Sequence, residues 1–370
     1  MASELNSSPV GNKSDVTKKR KLQCAEFASI TSKDEAIAQC YLAENDWDLE
    51  RALNSFFEPD VEVVFVDTPL ASALPQKRPR MESIQEDCVD LTETDETPTT
   101  STATSTSGTN DKASEEDKDN SQLTLVTWNI DGLDESNLIE RARGVCSYLA
   151  LYSPDVVFLQ EVIPPYLIYL QKRAVSYNII PGNDYGYFTV IMLKKSRVKL
   201  LKQEITHFPT TSMMRNLLSV HVRVGGSDLC LMTSHLESTR GQAKERLTQL
   251  NTLFHKMKEV PESSVVIYGG DTNLRDQEVT KVGGLPAGVV DVWEFLGKPE
   301  HCRYTWDTKM NSNKNAAYKC QLRFDRILFR NAKGTHIIPQ TMDLIGLDKL
   351  DCGKFPSDHW GLFCAFTLIL

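Results

Sequence analysis

The 370-residue sequence has no apolar stretch approaching the roughly 18 residues that a membrane span needs, and its amino terminus, MASELNSSPVGNKSD, lacks the apolar block of a signal peptide. Neither export nor membrane insertion is expected. No Cys-x-x-Cys pair occurs, and the nine cysteines are odd in number and widely spaced, which argues against a zinc ribbon, a redox dithiol or a disulfide framework. Reduced thiols in the nucleus or cytosol fit this usage. There is no His-Glu-x-x-His zinc helix and no Gly-x-Ser-x-Gly nucleophile elbow, so zinc-protease and serine-hydrolase chemistry have no sequence basis. An overall excess of positive charge is missing too, since the formal net charge is −9.

That charge is unevenly spread. Residues 1–91 hold 10 basic against 17 acidic side chains, residues 92–122 hold 2 against 8, and residues 123–370 hold 29 against 25. The acidity therefore lies in the amino-terminal third, while the large carboxy-terminal block is mildly basic and admits a polyanionic ligand. With 41% hydrophobic residues there is apolar material for a sizeable core.

The boundary between these parts is the segment 92–122, in which 14 of 31 residues are Ser or Thr and the only apolar side chains are Ala103 and Ala113. Such a stretch buries too little surface to offset its ordering entropy, so residues 67–122 are expected to form a disordered linker. Upstream, residues 22–66 carry apolar side chains at helical spacing, among them Phe27, Ile30, Leu42, Ala52 and Phe56, with Ser32 and Glu35 as a capping box. Three short helices follow from this pattern, behind a disordered basic tail at 1–21. YLAENDWDLERALNSFF resembles the ubiquitin-associated domain, which implies a ubiquitin-binding module. The Met-Gly-Phe/Tyr loop usual in that family is replaced by Ser29-Ile30-Thr31. DCVDLTETDE at 87–96 resembles a SUMO-interaction motif, an extended apolar run followed by acids that suits β-strand addition. VEVVFVD at 61–67 has a similar pattern, and KKRK at 18–21 and QKRPR at 76–80 are short basic clusters of nuclear-localisation type. A nuclear protein with a cytoplasmic pool is the expectation.

From residue 123 onward one pattern recurs five times, an apolar β-rich run that meets polar residues able to do chemistry. LTLVTWNID reaches Asn129 and Asp131, DVVFLQE reaches Glu161, LCLMTSHLE reaches His235, SVVIYGGDTN reaches Asp271 and Asn273, and FPSDHWGLF sets Asp358 and His359 before its apolar run. Continuous apolar runs of this kind are strands buried on both faces, so an α/β fold of packed sheets covered by helices is expected. Polar groups at neighbouring strand ends converge on one edge. A cysteine-free set of Asn, Asp, Glu and His suits a hard cation such as Mg²⁺ or Mn²⁺ and a phosphate.

The blocks TWNIDGL, LQEV, TSHLEST, GGDTNLRD, RFDRIL and PSDHW, in that order across residues 123–370, resemble the endonuclease/exonuclease/phosphatase superfamily of Mg²⁺-dependent phosphoesterases. The resemblance implies two packed β-sheets flanked by helices, a four-layer α/β sandwich. Within the superfamily, details such as MMRNLL and YTWDTKMNSN resemble the branch that clears topoisomerase II peptide remnants from 5′ ends of DNA by hydrolysing a phosphotyrosyl bond. It implies Glu161 as principal metal ligand with Asp131, Asp271 as general base held by Asn273, and His359 as donor to a phosphate oxygen, oriented by Asp325; as a carboxylate amid other carboxylates, Asp271 is expected to have a raised basicity. Asp358 is then expected to face the metal's water shell, and Asn129 and His235 to hold the remaining phosphate oxygens. For the DNA strand the implied surface comprises Asn129, Ile130, Asp131, Gly132, Leu133, Tyr187, His235, Ser238, Thr239, Arg240, Asn273, Leu274, Arg275, Trp306 and Phe324. Two other readings stay open. One keeps the enzyme but gives it an abasic-site, poly(A) or lipid or inositol phosphate substrate; the other makes the chain a ubiquitin- and SUMO-binding adaptor.

Overall fold

The computed structural model describes residues 13–31, 38–39, 42, 47, 49, 52–53, 121–314 and 319–369. The expected linker up to residue 120, the capping box at Ser32 and Glu35, VEVVFVD, QKRPR and the motif at 87–96 lie outside the described residues, while residues 121 and 122 at the linker's end belong to the folded domain.

The amino-terminal module is built on helix α1 (Lys13–Thr31), with Cys24 and Phe27 packed against Ala38, Leu42 and Ala52. The helix starts well before the expected boundary at residue 22, so the basic tail of 1–21 is ordered from Lys13. Lysine and arginine are good helix formers, and the Arg20 guanidinium lies 4.6 Å from the Trp47 ring, which gives the added turns a tertiary partner. Gln23 Nε2 donates to Trp47 O at 2.7 Å from the same face. Ser29-Ile30-Thr31, read from sequence as a loop, is the last turn of α1, where Thr31 Oγ1 donates to Phe27 O at 2.8 Å. Ile30, expected in the apolar set, is 51% exposed.

The carboxy-terminal part contains two six-stranded sheets. The first draws on β1 (Gln122–Asn129), β2 (Val156–Val162), β3 (Tyr177–Pro181), β4 (Phe188–Lys194), β13 (His336–Ile345) and β14 (Gly361–Ile369), in the order β13-β14-β1-β2-β4-β3. The second draws on β5 (Lys199–His207), β6 (Asn216–Val224), β7 (Ser227–Ser234), β8 (Val265–Asp271), β9 (Val289–Asp291) and β12 (Asp325–Arg330), in the order β5-β6-β7-β8-β12-β9. A short ribbon joins β10 (Trp306–Asp307) to β11 (Gln321–Leu322). β1 is parallel to β2 and β7 to β8, and the other pairs are antiparallel. Ser121 O accepts from Leu368 N, so the domain starts just ahead of the expected boundary at 123.

Strand alternation sorts the apolar residues into three layers. Leu125, Phe158, Leu231, Ile267, Ile327 and Phe366 fill the space between the sheets. On the outer face of the first sheet, Val126, Trp128 and Leu159 meet helices α2 (Leu138–Tyr152) and α3 (Pro164–Arg173). On that of the second, Cys230 and Tyr268 meet α4 (Ala243–Glu259) through Leu250, Leu253 and Met257. The four-layer sandwich follows directly. The sheets approach closely under the functional edge, where a Cβ on Gly269 would come within 2.7 Å of the Phe158 ring.

Candidate active site

The same alternation that makes the core ends by building the site. The inward column of β1 runs Leu123, Leu125, Thr127 and Asn129, that of β7 runs Leu229, Leu231 and Thr233 to His235, and that of β8 runs Val265, Ile267 and Gly269 to Asp271. β12 enters this edge with Asp325, directly opposite Asp271 in the sheet. Beneath them Gln160 Nε2 donates to Thr127 Oγ1 and Thr233 Oγ1 at 3.3 and 3.2 Å, tying the two sheets together. Glu161 breaks the alternation. After Leu159, which faces the helices, it should face outward, but a register shift between Leu159 and Val162 and a φ of 60° turn it back. Asp131 and Asn273 also have left-handed backbones, with φ of 51° each. Gly132 packs its Cα on the Glu161 carbonyl, where no side chain fits.

Asp271 is the hub of the buried half. Its Oδ2 accepts from Asn129 Nδ2 at 3.0 Å and lies 3.2 Å from His235 Nε2, while its Oδ1 accepts from Asn273 N at 2.9 Å. Burial raises the carboxyl, but His235 and His359 with the hydrogen bonds from His235 and Asn129 outweigh it and hold Asp271 well below the ordinary carboxylate range. The raised basicity expected of a carboxylate among carboxylates is therefore not found, because Asp271's neighbours are donors. His235 is held down to about 4 by burial and the Arg215 charge, so it is neutral and acts on Asp271 as a hydrogen-bond donor. Both its ring nitrogens are engaged, since Arg215 Nη1 lies 2.8 Å from Nδ1. Asn129 is committed in the same way, donating its amide protons to Asp271 and to Glu161 Oε1 at 3.2 Å, while its Oδ1 accepts from Asp131 N at 3.0 Å. The pair expected to hold phosphate oxygens thus fixes the carboxylates in place.

His359 Nδ1 lies 2.8 Å from Asp325 Oδ2, and its Nε2 lies 3.7 Å from Asp271 Oδ2. Burial works against the charge, yet Asp325 and Asp271 push the imidazole well above its usual value, so it is an imidazolium at neutral pH. Its backbone is locked as well. His359 N donates to Ser357 Oγ at 3.1 Å, and Trp128 Nε1 donates to His359 O at 2.9 Å. Asp271, Asp325 and His359 offer atoms within 4.8 Å of one another, close enough to hold a metal. Asp325 Oδ2 is already engaged by His359 Nδ1, however, and the positive charge that the two carboxylates favour on the imidazole works against its ligating a cation.

The other half is acidic and open. Burial, Asp358 and Asp131 push Glu161 up to about 7, and burial and Asp358 push Asp131 to about 6. Three carboxylates thus repel one another around an edge where Asp131 Oδ2 is buried with no hydrogen-bond partner among the described residues. Lys314 Nζ, 2.8 Å from Asp131 Oδ1, relieves only part of this. Hard oxygen donors, mutual repulsion and a buried oxygen that lacks a hydrogen bond and has only the Arg141 guanidinium at 3.9 Å fit a divalent cation held by Glu161 and Asp131.

The walls are mixed. The Trp306 and Phe324 rings lie 5.7 Å apart, the Phe324 ring is 6.3 Å from the His359 ring, and the Arg275 guanidinium covers Phe324 at 5.2 Å. Trp306 Nε1 donates to Asp358 Oδ2 at 3.3 Å, which links this row to the acidic half. On the other side Arg215 covers the Tyr187 ring at 4.7 Å and reaches Ser238 Oγ at 3.0 Å. Leu133, Thr239 and Arg240 are exposed, and Ser238 is half-buried. Ile130 and Leu274, expected on the DNA surface, have their side chains buried in the two outer apolar layers. Sequence reading missed Arg215, Lys314 and Ser357. Only Arg215 left a signal, a lone arginine before an apolar strand in MMRNLL.

The UBA-like domain family matches residues 22–62, and the Endonuclease/Exonuclease/phosphatase family matches residues 126–359. The chain is 63% identical to Tyrosyl-DNA phosphodiesterase 2 of Bos taurus over 356 residues, 95% of this chain and 94% of the bovine one. To the protein of that name from Homo sapiens it is 62% identical over 357 residues, 95% and 94% of the two chains. Among solved structures, D. rerio TDP2 complexed with single strand DNA product superimposes with a TM-score of 0.66 at 62% identity, over 67% of this chain and 99% of that one.

Proposed function

Because the chain belongs to the endonuclease/exonuclease/phosphatase family, alongside the tyrosyl-DNA phosphodiesterase 2 proteins, we propose that its substrate is the phosphotyrosyl bond at a 5′ DNA end. It is a phosphodiesterase that acts on DNA ends, and its family uses divalent metal ions. The observation that carries the reading is the junction, at one sheet edge, of the Asp271, Asp325 and His359 group with the Glu161 and Asp131 pair. On this reading the bond links DNA to a topoisomerase II remnant, the metal is Mg²⁺ with Mn²⁺ accepted, and the product is a 5′-phosphate.

Each protein group then has a task. Asp271 is ionised throughout the working pH range, so it always offers an acceptor to the attacking water. Its low basicity means that it receives the proton late, as the water oxygen bonds to phosphorus and becomes acidic. Asn129, His235 and Asn273 keep that carboxylate aimed. The His359 imidazolium gives Nε2–H to a non-bridging oxygen on which charge develops, and Asp325 keeps the ring charged and oriented. Bound to Glu161 and Asp131, the divalent metal would neutralise phosphate oxygens and the departing phenolate. Trp306, Phe324 and Arg275 form a wall on which a base of a single strand stacks.

The test is hydrolysis of a 5′-phosphotyrosyl oligonucleotide by the full chain with and without Mg²⁺, against abasic duplex, oligo(A) and inositol phosphates. Release of tyrosine with a 5′-phosphorylated strand, only with metal and in preference to the competitors, is expected. A faster reaction on any competitor overturns the substrate. For the amino-terminal module, the match to UBA-like domains supports binding of ubiquitin conjugates, with SUMO and a nuclear location resting on the short motifs.

A further inference from the structure

One buried carboxylate outside the set described above, Glu237, starts a chain of hydrogen bonds that ends on Asp271. It is completely buried. Its Oε1 accepts from Ser212 N and Oγ at 2.8 and 2.7 Å, and its Oε2 accepts from Thr211 Oγ1 and from Gln249 Nε2 of α4, both at 2.8 Å. Gln249 Oε1 accepts in return from Glu237 N at 2.8 Å. Thr211 Oγ1, having donated to the carboxylate, accepts from Arg215 N at 3.0 Å and Met213 N at 3.2 Å. Arg215 Nη1 then lies 2.8 Å from His235 Nδ1, and His235 Nε2 lies 3.2 Å from Asp271 Oδ2.

Two features single this chain out. The residues that deliver Arg215, from Phe208 to Met214, form no helix or strand, and Met214 has a φ of 57°, so the path depends on side-chain anchors. In addition, the neighbouring cation is used elsewhere. Arg246 gives Nη1 to the Glu237 carbonyl, while its Nε and Nη2 pair with Glu278. Four donors therefore hold the Glu237 carboxylate, filling the acceptor sites that only an ionised carboxylate offers. A neutral amide of the same shape would turn N–H groups toward groups that already donate.

We propose that Glu237 is a positioning residue for phosphodiester hydrolysis, clamping residues 208–214 so that Arg215 fixes His235 and, through it, Asp271. This rests on the phosphodiesterase reading given above. A purely structural Glu237 would lower stability without any special relation to Arg215, so the two roles separate in a double-mutant cycle.

The cycle pairs Glu237→Gln with Arg215→Ala in the full chain, with kcat and KM measured on a 5′-phosphotyrosyl oligonucleotide and melting temperature measured in parallel. Glu237→Gln should lower kcat on the order of 10- to 100-fold with little change in KM, since small misplacements of a reacting group cost this much. In the Arg215→Ala background the further loss should be less than about threefold, the non-additivity of residues acting as one unit. If Glu237→Gln does not fold, Thr211→Val replaces it, removing only the hydroxyl link, while Thr211→Ser keeps the link and should keep the rate. Additive losses, a loss confined to KM, no loss at all, or equal losses for Thr211→Val and Thr211→Ser overturn the proposal. An inactive wild-type chain would instead count against the phosphodiesterase reading, which keeps the two failures apart.

Discussion

Replacing Asp325 with Asn tests whether the Asp271, Asp325 and His359 group carries protons or metal. The substitution keeps the shape beside His359 Nδ1, 2.8 Å away, and removes the charge. What is lost is a buried charge-assisted hydrogen bond, worth about 1.5 to 3 kcal/mol, or roughly one to two powers of ten in kcat/KM. The pH dependence gives the sign. In the wild type, burial disfavours the imidazolium, and Asp325 and Asp271 overcome it, so His359 stays protonated well above the ordinary range of histidine. Without Asp325 the burial remains and the largest opposing cause is gone. The imidazolium is then lost at lower pH, and the alkaline limb of kcat/KM moves toward acid. Because the group is not a metal site on this reading, the divalent-cation concentration for half-maximal rate should not change. Steady-state rates across pH at saturating metal, with a metal titration at one pH, read both. An unmoved alkaline limb, or a raised metal requirement, refutes the assignment.

Metal-free protein should lose stability as pH rises. Burial with Asp358 and Asp131 takes Glu161 from 4.5 to about 7, and burial with Asp358 takes Asp131 from 3.8 to about 6. The folded state therefore binds more protons than the unfolded one between those limits. Stability is full below the unfolded values and falls through the folded ones, by up to about 3 kcal/mol for Glu161. Thermal melts with chelator from pH 5 to pH 8 should show the decline and its reversal by divalent cation, and flat melts would refute the repulsion. Glu161→Gln should remove roughly half of that decline, leaving the part that Asp131 contributes, and most of the metal-induced rise in melting temperature, read in the same melts. Trp306→Ala should slow a 5′-phosphotyrosyl oligonucleotide by about 5- to 150-fold and spare a nitrophenyl ester of thymidine 5′-phosphate. Equal loss on both substrates would show that its hydrogen bond to Asp358, not a stacked base, is what matters. Residues 121–370 alone should retain nearly full turnover on a short oligonucleotide, and a severe loss would bring the amino-terminal module into the active site.

Much of the site was legible because a strand writes its geometry in steps of two. The columns ending in Asn129, His235 and Asp271 can be followed in the letters of LTLVTWN, LCLMTSH and VVIYGGD, and the same rule correctly buries Ile130. The direction of hydrogen bonds was not legible. His235 and Asn129 are polar groups at strand ends, and nothing in their spacing tells whether their protons face a ligand or a neighbouring carboxylate. The basicity of Asp271 was misjudged for that reason, since its partners come from three other strand ends. Arg215 and Lys314 escaped because each reaches the site from a segment without periodicity. The start of α1 was missed because its added turns depend on Trp47, some 27 residues further along the chain from Arg20.

Asp131 and Asn273, just beyond a strand, and Glu161, next to the last residue of β2, all adopt left-handed backbones. Asn and Asp tolerate that region, but glutamate does not readily, and a single strained residue costs on the order of 1 to 3 kcal/mol. Such a cost persists only where the surroundings enforce it. Around Glu161 they do: the register shift in β2, the Gly132 backbone against the Glu161 carbonyl, and the Asn129 amide on Oε1 each hold one part of the residue. An unstrained Glu161 would follow the alternation of β2 into the apolar layer beside Leu159, leaving Asp131 without the second carboxylate that makes a divalent site. The strain thus lies at the residue where the sheet's own period and the chemistry of the edge demand opposite directions.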